Sequence, residues 1–198
     1  MRNVLRICTL ILSVFSVQTV WANAITYDVI LTGLGESPPN ASPGSGVAVI
    51  TIDTIANTLN IVSDTFSGLL GTTTASHIHC CTASPGAGTA GVATQVPYFA
   101  GFPIGVTSGS YSMLFDMTQA STWNPAFITA NGGTAAGAEA ALAAGAAAGD
   151  AYLNIHTAVV PGGEIRGFLV PTPEPGTLLL LGTGLLGLAG AARRKWLS

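Results

Sequence analysis

The histidines are the residues of this chain whose types and positions best suit chemistry. His77 and His79 stand two residues apart in a strand-like segment, so their side chains project from one face of that strand. His156 lies in a second strand-like segment and shares a face with Asn154 and Tyr152. A His-x-His pair with a distant third histidine is a ligand set for Zn²⁺ or Cu²⁺, because neutral imidazole nitrogens coordinate both ions. If the two strands are neighbours, the three imidazoles converge on the outer face of the sheet.

Two other roles are open for these histidines. They could form a structural polar network at a sheet edge with Tyr152 and Asn154, or line a ligand pocket that holds no metal. The His-x-His strand is superficially similar to that of copper–zinc superoxide dismutase. The two-metal site of that enzyme needs more histidines than the three in this chain, so a dismutase of that type is excluded.

Cys80 and Cys81 are the second chemically notable pair, because they are adjacent and directly follow His79. Their Cα atoms would lie ~3.8 Å apart across a trans peptide, whereas disulfides prefer about 4.4–6.8 Å. If the protein is exported, as its N-terminus predicts (see below), these cysteines are in an oxidising environment. A vicinal disulfide and free thiols therefore both remain open, with copper ligation by the thiolates as a weaker third interpretation.

The segments that must position these side chains are short and rich in β-branched residues. They predict strands over Ile25–Leu34, over Val47–Asp53 and Leu59–Asp64 as a hairpin, and then over Ser76–Cys80, Ser110–Met117, Ala151–Thr157 and Glu164–Val170. Alanine dominates Thr134–Ala148, which predicts the one helix, and Gly149 should end it. This order predicts a mainly β fold, an antiparallel β-sandwich with one short Ala-rich helix at an edge.

The N-terminus reads as an export signal. Arg2 and Arg6 precede an apolar run, and Ala22-Asn23-Ala24 offers the small-x-small pattern that signal peptidase cleaves. Residues 1–24 are therefore predicted to be a signal peptide, and the mature chain to start at Ile25.

The C-terminus carries a second targeting segment. Residues 176–192 are 17 uncharged, mostly apolar residues, at the short limit of about 17–25 for a transmembrane helix. Pro173, Glu174 and Pro175 stand just before this segment, and Arg193, Arg194 and Lys195 follow it directly. A basic cluster after a span stays on the cytoplasmic side. Residues 172–198 resemble the PEP-CTERM sorting signal of Gram-negative bacteria, which implies membrane insertion through this helix, processing by an exosortase, and delivery to the cell surface or extracellular matrix.

Charge excludes one class of partner. Residues 25–171 contain one basic residue, Arg166, and eight acidic residues, which gives this segment a net charge of −7. One cation cannot neutralise a phosphate backbone, so the domain does not bind nucleic acid. Glu164 and Arg166 alternate on one strand face. We expect Arg166 to form a structural ion pair with an acid, Glu164 or Glu36, while a catalytic or anion-binding role is the alternative.

Five ordered motifs link the domain to a known family. They are Gly35–Asn40 (GESPPN), Gly44–Gly46 (GSG), His77–His79 (HIH), Tyr152–Thr157 (YLNIHT) and Gly162–Gly167 (GGEIRG). Residues 25–171 thereby resemble the CHRD domain, which is named after chordin and is common in secreted bacterial proteins. The resemblance implies no particular reaction.

These features predict an exported, surface-anchored or matrix-released protein. Its leading interpretation is a non-enzymatic binding or structural module, with glycans or other matrix components as conceivable partners. The alternative is a protein that sequesters copper or zinc, or performs redox chemistry with it, through His77, His79 and His156.

Overall fold

The computed structural model describes residues 24–173, 181–187 and 193. Strands dominate the described chain, with two helices between the fifth and sixth strands. The strands are β1 (Ala24–Thr32), β2 (Ser45–Asp53), β3 (Thr58–Ser67), β4 (Thr73–His79), β5 (Gly109–Asp116), β6 (Tyr152–Thr157), β7 (Ile165–Phe168) and β8 (Val170–Pro171). The helices are α1 (Pro125–Ala130) and α2 (Ala135–Ala148).

All eight strands belong to one sheet. Its order is β4-β6-β7-β1-β2-β3-β5, with β8 beside β1, and the pairs between named strands are antiparallel. The mainly β, antiparallel class is therefore confirmed. The two-sheet sandwich is wrong, because hydrogen bonding runs without a break from one edge strand to the other, and the sheet curls to enclose its own core.

Alternation along each strand builds that core. In β1 the side chains of Tyr27, Val29 and Leu31 are buried and the residues between them are more exposed. The same period of two recurs in β2, because successive side chains of a strand point to opposite faces. The predicted hairpin of β2 and β3 is present, and an extra residue at Val62 shifts its register.

The chain between β4 and β5 covers the open side of the curled sheet. Ala93 and Thr94 hydrogen-bond to the carbonyl of Ile78 in β4. Further along, the ring of Phe102 stacks on Phe66 of β3 with ring centroids 5.6 Å apart. This irregular segment therefore ties one edge of the sheet to the other half, and it lies close to the histidines of β4.

Local capping explains where the helices begin and end. Thr134 accepts a hydrogen bond from the amide of Gly137, and Gly149 adopts φ 79°, the left-handed conformation that suits glycine at a helix end. The predicted Ala-rich helix is thus confirmed. The expectation of a single helix is wrong, because α1 precedes it with Asn124 as N-cap and Pro125 in its first turn.

Neither targeting segment is fully described. The predicted signal peptide lies outside the described residues except for Ala24, which begins β1. Of the predicted span 176–192, only residues 181–187 are described, and they are helical. Across the described ranges, no helix has the length and apolar character needed to cross a membrane.

Candidate metal centre

Two neighbouring strands hold the three histidines. β4 pairs antiparallel with β6, so that His77 is opposite Asn154 and His79 is opposite Tyr152. Residues directly opposite in a pair of strands point to the same face. The alternate residues Ile78 and Leu153 are completely buried in the hydrophobic core. The core therefore fixes the register, and the register places the histidines together on the other face.

The three imidazoles meet in one cluster. Ring centroids are 5.9 Å apart for His77 and His79, 5.3 Å for His77 and His156, and 5.6 Å for His79 and His156. One ring nitrogen from each residue lies within 4.8 Å of the others. The structure thus brings together all three residues that the sequence nominated.

Backbone carbonyls fix which nitrogen of each ring carries the proton. Nε2 of His77 lies 2.7 Å from the oxygen of Pro97, Nδ1 of His79 lies 3.0 Å from that of Ala90, and Nδ1 of His156 lies 2.9 Å from that of Pro161. A carbonyl oxygen only accepts, so each of these nitrogens must be the N–H donor of a neutral ring. The other nitrogen of each ring then carries a lone pair.

These lone pairs have no donor to accept from within the cluster. Nδ1 of His77 is buried and has no hydrogen-bond partner. Nε2 of His79 and Nε2 of His156 face each other across 3.4 Å, and neither carries a proton in the tautomers set by the carbonyls. A tetrahedral ion with Zn–N bonds of ~2.1 Å holds its nitrogen ligands about 3.4 Å apart. The Nε2 atoms of His79 and His156 have this spacing, and one ring nitrogen of His77 lies within 4.8 Å of the ligand atoms of the other two.

The cluster is more buried than the sequence predicts. His77 and His79 are only 6% and 7% exposed, and His156 is half-buried, although all three lie on the face of the sheet opposite Ile78 and Leu153. The loop segments that contribute Ala90, Pro97 and Pro161 reach the rings. Burial lowers the pKa of His77 and of His79 to about 4, and it also lowers the pKa of His156. All three rings are consequently neutral at physiological pH, the form that coordinates metal.

A stack of side chains continues the site along the sheet. The Tyr152 ring lies parallel to the His79 ring, with centroids 4.8 Å apart and planes 5° from parallel. The Arg166 guanidinium carbon lies 4.5 Å from the Tyr152 ring centroid. Tyr152 therefore separates a candidate metal ligand from the single cation of the domain.

Two known sequence families match this chain. Residues 27–169 match the CHRD domain, and residues 171–195 match the PEP-CTERM protein-sorting motif. The chain belongs to the CHRD domain family. No match was found among curated proteins or among solved structures. Its sorting motif marks it as an exported surface protein that an exosortase processes.

Arg166 pairs with Glu36 instead of Glu164. Its Nε lies 3.7 Å from Oε2 of Glu36 and also donates to the carbonyl of Gly35. Burial raises the pKa of Glu36 to about 7, although the charge of Arg166 and the Ser37 amide act in the opposite direction. The expected structural pair thus exists with the more distant of the two acids named from sequence.

Glu164 instead organises loops of the CHRD domain. Its carboxylate accepts hydrogen bonds from the hydroxyls of Ser42 and Thr157 and from the amides of Leu70 and Gly71, at 2.6 to 3.1 Å. Burial raises the pKa of Glu164, and these hydrogen bonds together outweigh it, so the pKa lies below its ordinary value. Glu164 is therefore a structural carboxylate, and its proposed pairing with Arg166 is wrong.

The cysteines stand apart from the histidine cluster. Cys80 and Cys81 form a vicinal disulfide across a cis peptide, with Cα atoms 3.0 Å apart. Their sulfur atoms lie against α2, near the carbonyl of Ala141 and so close to Gly145 that a Cβ there would overlap them. The weaker interpretation of these residues as metal ligands therefore finds no support in their position.

The groups that orient the histidines are not predictable from the sequence. Ala90, Pro97 and Pro161 act through backbone oxygens, which every residue type has, so no sequence signal distinguishes them. The sequence indicates that Asn154 shares a face with His156, but not that it is 2% exposed with an Oδ1 that has no hydrogen-bond partner. Asn154 lies between Tyr152 and His156 on one face of β6 and opposite His77, and its amide group lies against Gly163.

Proposed function

We propose that this CHRD domain is a surface-displayed metal-binding module that holds one zinc or copper ion between His77, His79 and His156. The observation that carries the proposal is the hydrogen bond from each ring to a backbone carbonyl, which leaves one unprotonated nitrogen on each of three clustered rings. Metal-ligating histidines characteristically bind a carbonyl or carboxylate through the second nitrogen, which fixes the ring and raises its basicity.

A purely structural role accounts for only half of this arrangement. The three N–H···O=C bonds do tie the loops at Ala90, Pro97 and Pro161 to the sheet, as a polar network would. That network alone leaves the buried acceptor Nδ1 of His77 without a partner. It also leaves the lone pairs on Nε2 of His79 and Nε2 of His156 facing each other across 3.4 Å. An unsatisfied buried polar group costs about 1–3 kcal/mol. A cation at the centre removes both costs.

The composition of the cluster favours holding an ion over catalysis. The candidate ligand group contains no carboxylate, and the ordinary general bases of metal hydrolases are carboxylates or additional histidines. We therefore propose sequestration or display of the ion at the cell surface. A domain that binds no metal would leave the simpler module for matrix or glycan partners, which was the leading interpretation from the sequence.

Metal analysis of the purified exported protein tests the proposal. The protein is dialysed against a chelator, exposed to Zn²⁺ or to copper, and its bound metal is measured by mass spectrometry. We expect one equivalent in the wild type and in Ser112→Ala, an exposed position on β5 used as control. His77→Ala and His156→Ala should each weaken binding more than tenfold. A wild-type protein that retains neither metal would refute the site.

A further inference from the structure

Resting on the metal site proposed above, we infer that its preferred ion is monovalent copper, Cu⁺, instead of Zn²⁺ or Cu²⁺. Three features of the site carry this inference: the charge of the donors, the charge of the surroundings and the number of donors.

The donors bring no negative charge. All three are imidazoles held neutral by their carbonyl partners, so the bound ion keeps its full charge inside a largely buried site. The electrostatic cost of burying an ion grows with the square of its charge, so a divalent ion pays about four times the cost of a monovalent one. Sites for divalent ions commonly offset this cost with carboxylate or thiolate ligands, and the cluster has neither.

The surroundings add positive charge. Arg166 is 3% exposed, and its guanidinium stacks on Tyr152, which itself stacks on the candidate ligand His79. Repulsion between this fixed cation and the ion doubles when the ion is divalent.

Glu36 offsets Arg166 only in part. Its Oε2 lies 3.7 Å from Nε of Arg166, and its Oε1 has no hydrogen-bond partner. Burial holds the pKa of Glu36 near 7, so a substantial fraction of the carboxyl is protonated and neutral at physiological pH. The positive charge of Arg166 is therefore only partly neutralised, and it still repels a cation bound at His79, on the other side of the Tyr152 ring.

The number of donors points the same way. The three nitrogens form a compact triangle, with each pair within 4.8 Å. Cu²⁺ prefers a square-planar or tetragonal set, and Zn²⁺ sites complete a tetrahedron with a fourth ligand. Asn154, opposite His77 on β6, has a neutral amide that lies against Gly163, so it brings no charged fourth ligand to the cluster. Cu⁺ is stable with three nitrogen ligands, whereas Zn²⁺, although also a d¹⁰ ion, takes a fourth ligand.

Competition experiments on the exported protein test the inference. Cu⁺ affinity is measured without oxygen against bicinchoninate, and Zn²⁺ and Cu²⁺ affinities against chromophoric chelators of known strength. We expect Cu⁺ to bind at least tenfold more tightly than either divalent ion. Tighter Zn²⁺ or Cu²⁺ binding overturns the Cu⁺ assignment but leaves the metal site standing. The absence of binding by all three ions overturns both.

Two variants separate charge selection from a general structural effect. Glu36→Gln removes the partial counter-charge, so the ratio of Cu⁺ to Cu²⁺ affinity should rise and the copper reduction potential should increase. The double variant Arg166→Met/Glu36→Gln removes the cation without stranding its partner, and the ratio should fall at least tenfold relative to Glu36→Gln. That fall corresponds to a lowering of the potential by about 59 mV. Potentials that move in the opposite directions, or do not move in Glu36→Gln, would contradict the electrostatic argument, even if the double variant fails to fold.

Discussion

Nε2 of His79 lies 3.4 Å from Nε2 of His156, although 77 positions separate these residues in the chain. Both nitrogens are acceptors, because Nδ1 of each ring donates to a backbone carbonyl. Two acceptors at this distance repel each other in the metal-free protein. The strand pairing of β4 and β6 holds them together all the same, since their register is fixed by core residues on the opposite face.

Bound metal should therefore stabilise the domain. An ion at one hundred times its dissociation constant adds about 2.7 kcal/mol to the free energy of unfolding. For a domain of this size, that raises Tm by about 5–10 °C. Calorimetry with and without metal measures the shift. His156→Ala should abolish it while the control Ser112→Ala retains it, and an equal shift in His156→Ala would place the metal elsewhere.

A second prediction concerns Asp64, a carboxyl in the core. It is 1% exposed, neither carboxyl oxygen has a hydrogen-bond partner, and burial raises its pKa to about 7. The folded protein therefore holds the proton more tightly than the unfolded chain does. Stability from this group is fully present below the unfolded pKa, near 4, and is lost as pH rises from there through about 7.

Asp64→Asn removes that pH dependence because asparagine does not ionise. At pH 8 the variant should be more stable than the wild type by several kcal/mol, on the order of 4 from a shift of about three pKa units. At pH 4.5 the two should be within about 1 kcal/mol of each other. Urea unfolding at both pH values measures this, with the exposed Asp28→Asn as control. Equal effects at the two pH values would show that Asp64 is not neutral in the folded state.

The parts of the site that follow from local geometry were predictable from the sequence. His77 and His79 share a face because side chains two apart in a strand do so, and the alternation of Leu153 and Ile155 with Asn154 and His156 indicates the same for β6. The depth of the site was not predictable. It depends on where the loop carbonyls of Ala90 and Pro97 come to lie, and loop paths are set by tertiary contacts.

The fold shows the same division. Strand positions and the Ala-rich helix follow from composition and period, and the Thr134 and Gly149 caps mark its ends. The single sheet was not predicted, because strand lengths and spacing do not determine which strands pair. The decisive pairing is that of β7, which lies between β6 and β1, a strand from the opposite end of the domain sequence. α1 has only six residues, but Asn124 followed by Pro125 is a recognisable helix start that could have revealed it.

A third prediction concerns Glu164, which is fully buried. Its four hydrogen bonds join Ser42, the turn at Leu70 and Gly71, and Thr157. Hydrogen bonds to a charged group contribute about 1.5–3 kcal/mol each. Glu164→Gln keeps the shape, but it replaces one acceptor with a donor that faces other donors. We expect a loss of at least about 3 kcal/mol in urea unfolding, against about 1–2 for Ser42→Ala. A smaller loss in Glu164→Gln than in Ser42→Ala would contradict the charged-acceptor role.

The last prediction concerns Gly145, where α2 meets the vicinal disulfide. A Cβ at this position would overlap the sulfur atoms of both Cys80 and Cys81. Alanine would otherwise favour the helix by up to about 1 kcal/mol, whereas overpacking costs about 1–3 kcal/mol. Gly145→Ala should therefore destabilise the wild-type domain, because the helix must move away from the disulfide.

The matched background is Cys80→Ala/Cys81→Ala, which removes both sulfur atoms and leaves the Cβ of residue 81, at 3.3 Å, as the nearest cysteine atom to the new methyl group. There the same Gly145→Ala change should destabilise the domain much less, since the remaining contact is milder and alanine favours the helix. Thermal unfolding of the four proteins forms a double-mutant cycle, and we expect a coupling of at least about 1 kcal/mol. An additive cycle would mean that the helix does not rest on the disulfide. The close approach at Gly145 would then have no consequence for stability.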